Sequence, residues 1–239
     1  MTTTTIAPSV QIGEILVPGA TSLHGARTFM LTRPSGGPHG VEVAFGLFAG
    51  ETQKRVIDRL ADRLFEELRP VIFAEGADAE ARFEAGLKRA NSVILGFLHE
   101  HGLSLPGIKL RGAFGLLAGD RLFLANRGSF RGVVVVPQTH VKPLAAFTLF
   151  EEGSDTLTHP KFFASFQDGV LPAGARLFVA STELFQATDE AFAIGRFTDP
   201  DASRAIRDLK NAGYANIPVE KLVDMRIHGI DAEFVRRTK

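Results

Sequence analysis

Val43-Ala44-Phe45-Gly46-Leu47-Phe48-Ala49-Gly50 is an apolar run that ends in glycine, and the chain changes period soon after it. Val56, Leu60, Leu64, Phe65 and Leu68 recur at helical spacing with Arg, Asp and Glu between them, and Pro70 is expected to close that helix. The reading is a strand over Val41–Phe48 that feeds a long amphipathic helix. Val10–Val17 and Thr28–Thr32 are earlier strand candidates, the second divided from Val41 by the turn-rich RPSGGPHG. A second helix is expected from about Asp78 to His99, with Phe83, Leu87, Ala90, Ile94, Phe97 and Leu98 on one face.

Beyond this helix, strands dominate the chain. Ala113–Leu117 and Arg121–Ala125 flank Ala118-Gly119-Asp120, a hairpin turn signal. Gly132–Pro137 is a continuous valine run suited to a strand buried on both faces, Phe162–Phe166 reads as a short helix, and Arg176–Ser181 reads as another buried strand. Consecutive hairpins imply antiparallel pairing, so the fold class is α+β: two packed antiparallel β-sheets flanked by helices, over residues 10–197. Residues 1–9 read as a disordered tail. Residues 198–239 read as a helical appendage, in which Asp201 caps a helix ended by Gly213, a second runs from Pro218 to Arg226, and Asp231 begins a third.

Composition narrows the function classes. Lys+Arg and Asp+Glu both count 27, so there is no net charge to attract a polyanion and no nucleic-acid partner is expected. With no cysteine, disulfides, thiolate zinc sites and cysteine nucleophiles are excluded, which fits a reducing compartment; the expectation is a cytoplasmic protein. MTTTTIAPS has neither a basic nor an apolar segment of the kind a signal peptide needs, and no apolar run approaches the ~20 residues that span a bilayer, so no membrane association is expected. The 20 phenylalanines, beside one tyrosine and no tryptophan, have no polar handle and are expected to fill the core.

Four stretches resemble the PPM-type (type 2C) metal-dependent serine/threonine phosphatases. Val43 to Gly50, leading to a long helix, looks like that family's strand ending in Asp-Gly. Leu110-Arg111-Gly112-Ala113-Phe114 is similar to its Gly-Ser-Thr-Ala strand, Leu122 to Arg131 (LFLANRGSFR) to its ANVGDSR strand and turn, and Leu177 to Phe185 (LFVASTELF) to its LLLASDGLF strand. The resemblance implies an α-β-β-α sandwich. It also implies a chemistry in which aspartates hold two divalent ions that activate a water against a phosphoester, because hard Mg²⁺ or Mn²⁺ needs anionic oxygen ligands.

This sequence departs from the pattern where those ligands belong. Ala49 stands in place of the bridging aspartate, with Gly50 retained; Ser181-Thr182-Glu183 replaces Ser-Asp-Gly, so Thr182 takes the ligand position; and Arg127-Gly128-Ser129 replaces Gly-Asp-Ser. Arg127 would further disfavour cations if it faced the cleft. The expectation is therefore a catalytically inactive pseudophosphatase, without a metal cofactor, acting through an unidentified protein partner. The alternative is a divergent phosphatase using Mn²⁺ or Mg²⁺ in a site rebuilt from Glu51 and Glu183, each displaced by one or two residues from a lost ligand. Strand alternation is expected to turn such displaced side chains away.

Within the tail, Ile206 to Val235 is similar to a short helical repeat found in several bacterial proteins, including regions attached to antibiotic-sensor metallopeptidases. Other candidates carry plainer readings. His99-Glu100-His101 suits a helix C-terminus better than a metal, and His228 before Gly229 reads the same way; Ser35 to Gly40 suits a loop better than an anion cradle, and Ser129 a turn hydroxyl better than a nucleophile.

Overall fold

The computed structural model describes residues 24–35, 41–128, 130–136, 145–150, 161–171 and 175–181. In chain order these form β1 (His24–Pro34), β2 (Val41–Glu51), α1 (Lys54–Ile72), α2 (Ala79–Glu100), a single turn α3 (Leu105–Ile108), β3 (Arg111–Ala118), β4 (Arg121–Arg127), β5 (Phe130–Val136), β6 (Ala145–Phe150), β7 (Gln167–Val170) and β8 (Arg176–Ser181). All pairing is antiparallel. A larger sheet has the order β1-β2-β3-β4-β7, and a smaller one β6-β5-β8.

Strand alternation divides the larger sheet into two apolar faces. Ala44, Phe48, Phe114, Leu116, Phe123 and Ala125 point to one side and pack with Ile57, Leu60, Leu64 and Leu68 of α1 and Phe83, Leu87 and Ile94 of α2. Val43, Ala113, Leu117, Leu122 and Leu124 point the other way and meet Phe130 and Val134 of β5 in the smaller sheet. The layers are thus helices, larger sheet, smaller sheet, as the apolar patterning implied. Residues 1–9, Val10–Val17 and 198–239 lie outside the described residues. Phenylalanine fills the helix-facing layer: the Phe83 ring stacks on Phe114 at 5.3 Å and on Phe123 at 5.6 Å.

Several expectations about elements need correction. Pro70 does not end α1; the helix continues to Ile72, which is fully buried. Proline removes one hydrogen bond, but core burial of Ile72 retains the last turn. Arginines satisfy the carbonyls at its end: Arg82 donates to Ile72 O at 2.9 Å and Arg33 to Phe73 O at 2.6 Å. Phe162–Phe166 is not a helix. The side chain of Asn91 on α2 takes both backbone groups of Phe163, donating to its carbonyl at 3.0 Å and accepting from its N–H at 2.7 Å. That clamp drives Phe162 and Phe163 into the core. The chain then enters β7, a strand, like β6, that the sequence pattern does not announce; α3 is likewise unannounced. The β3–β4 hairpin matches expectation, with Gly119 at φ +62°, and α2 begins at the expected cap, where Asp78 accepts from Ala81 N at 2.8 Å.

One buried ion network ties the helix layer to the sheet. Glu42 of β2 accepts two hydrogen bonds from Arg82 of α2, at 2.8 and 2.9 Å, and a third from Arg33 of β1 at 2.5 Å. Arg82 is 5% exposed, so its charge has no water to retreat to. The Arg82 guanidinium, outweighing the opposing effect of burial and helped by Arg33, holds the Glu42 carboxyl below the usual range. Its stabilisation is therefore complete above the unfolded-state pKa and is lost as pH falls through the lower folded value. Arg82→Met is expected to cost about 3 kcal/mol in denaturant unfolding at pH 7, since it strands a buried carboxylate with one partner. It should also shrink the stability lost between pH 6 and the acid range, and an unchanged acid slope would show that Glu42 is not the group responsible.

Candidate functional site

The site anticipated from sequence lies where β2 ends. Register and alternation place two successive rows on the face that meets the smaller sheet. The inner row is Thr28, Leu47, Ala113 and Asn126, each the pairing partner of the next. The outer row is Ala26, Ala49 and Arg111, again partners in turn. Gly128 completes it across from Arg111, since a Cβ built on Gly128 would lie 2.7 Å from Arg111 Cγ. Arg111 is half-buried, and its stem leans over Gly128. In the inner row, Thr28 Oγ1 and Asn126 Nδ2 are buried without a hydrogen-bond partner.

Glu51, the last residue of β2, is two positions beyond Ala49. Two positions is a full strand period, so alternation returns Glu51 to the face of Ala49 instead of turning it away; the displacement argument applies to a one-residue shift only. Its exposed carboxylate accepts from Lys109 Nζ at 2.9 Å. Gly50, between them, points to the helix side. Its carbonyl accepts from Thr52 N at 3.0 Å as the chain turns toward α1. A Cβ there would sit 3.0 Å from the Ile108 carbonyl oxygen and 3.3 Å from Ile57 Cδ1, so close packing of α1 and α3 accounts for the glycine.

Arg127 does not face this end of the sandwich. It shares the helix-side face with its partner Gly112, lies over the Phe162 ring at 5.5 Å and donates to Lys161 O at 3.0 Å. The arginine on the site face is Arg111, which in the sequence stands out only as part of a strand motif. Thr182, Glu183 and Ser129 lie outside the described residues, as do His228 and the loop residues 36–40. His99 is exposed at the end of α2, Glu100 pairs with Arg63, and the His101 ring stacks on Phe97 at 4.1 Å, so this trio finishes a helix.

A divalent ion needs convergent anionic oxygens. Among the described residues no group of three or more His, Asp or Glu side chains converges to hold one. At the strand end Ala49 and the cationic Arg111 are partners on neighbouring strands, about 4.8 Å apart. Two like unit charges about 4 Å apart near a protein surface repel by about 4 kcal/mol, and a dication doubles the product. The described residues of this strand end do not fit such an ion.

This layering is that of the PPM-type phosphatase fold. No protein-family model matches the sequence, and no curated protein matches it. Solved structures do match. The Mycobacterium tuberculosis serine/threonine phosphatase PstP aligns at TM-score 0.55 and 16% identity, over 87% of this chain and 98% of its own. The PstP catalytic domain in complex with two manganese ions aligns at TM-score 0.52 and 14% identity, over 86% and 97%. The phosphatase domain of SpoIIE from Bacillus subtilis aligns at TM-score 0.53 and 11% identity, over 93% of both chains. The chain has their fold. Among the described residues no helix is long and apolar enough to cross a membrane.

If Gly50 is retained for packing, Gly50→Ala should lower stability by about 1–3 kcal/mol through the forced shift of α3. A variant that melts like the wild type yet changes ligand binding would assign the glycine to the site instead.

Proposed function

We propose that this chain uses the PPM frame as a catalytically inactive binding, scaffolding or regulatory module. The observation that carries the reading is Ala49 beside Arg111 at the end of β2, where a divalent centre would need carboxylates. A hydrolytic mechanism of that class depends on ions that generate the nucleophile and stabilise the phosphoryl oxygens. A methyl group contributes nothing to either task, and the positive charge of Arg111 on the neighbouring strand opposes the ion's approach. The partner we propose is another protein in the cytoplasm, because balanced charge supplies no long-range attraction for nucleic acid and the chain has no cysteine to oxidise.

One observation favours a second reading. Glu51 shares the face of Ala49, so a divergent phosphatase could recruit it, with Glu183, as substitute ligands. A metal there would have to displace Lys109 from the Glu51 carboxylate. The readings separate on titration of Mn²⁺ and Mg²⁺ into pure protein, with hydrolysis of p-nitrophenyl phosphate measured in parallel. The inactive module predicts no saturable heat, a flat melting temperature and no turnover, because only an ion that binds the native state raises stability. Micromolar binding with turnover, both abolished by Glu51→Ala or Glu183→Ala, would establish the second reading.

A further inference from the structure

We draw no further inference here: the strongest candidate, the small apolar hollow between the sheets that Leu122, Leu124, Val134 and Gly169 line beside the exposed Val170 of β7, carries nothing, because nothing in the structure shows what covers it.

Discussion

The central strands β2, β3 and β4 have no solvent side. Helices cover one face of the larger sheet and β5 covers the other, so every position from Val43 to Phe48 has to be apolar or small. That constraint explains why the sheet is written in Val, Leu, Phe, Ala and Gly. It also explains why polar side chains on these strands gather at their ends, where one layer stops covering them. Glu42 occupies one end of β2 and Glu51 the other. The first is drawn inward and satisfied by two arginines. The second stays exposed and meets a lysine.

Glu42 shows how the layers are kept in register. Dispersion and apolar burial hold α1 and α2 on the sheet but discriminate poorly between near-equivalent seatings. A buried carboxylate that needs Arg82 from α2 and Arg33 from β1 has one good geometry. The same two arginines satisfy the last carbonyls of α1, so the network fixes the end of one helix, the start of the next and the edge of two strands together. Its net contribution to stability is smaller than its hydrogen bonds suggest, because both ions were desolvated to make it. Its effect lies in the penalty for every other arrangement.

The same physics decides which parts of the fold are legible in the sequence. Long elements with a strong period are readable: α2 is placed within a residue at each end, with its Asp78 cap and most of its buried apolar face, though Val93 and the buried Arg82 are not read from it. The β3–β4 hairpin is readable from its turn. Features decided by a distant side chain are not. Nothing local in Phe162–Phe166 announces that Asn91, far away in the chain, will take both backbone groups of Phe163 and cancel the helix. Pro70 is a strong stop signal locally, and Ile72 overrides it only because its side chain finds a buried place between the helices and the sheet. Strand β7 has a weak pattern, since most of it faces solvent at a sheet edge.

At the site, the residue types are legible and their directions are not. Ala49 stands where the resemblance leads one to expect a carboxylate. Which arginine faces it depends on parity: Arg127 and Arg111 sit on adjacent strands, one register step apart, and so point to opposite faces. A reading from motifs favours Arg127, which neighbours the altered turn. The pairing Ala49 to Arg111 changes which arginine faces the strand end and leaves the sign of its charge the same, since Arg127 is taken up by Phe162 and the Lys161 carbonyl. At that strand end the described residues set a methyl group and a cationic side chain side by side, where a dication would need carboxylates.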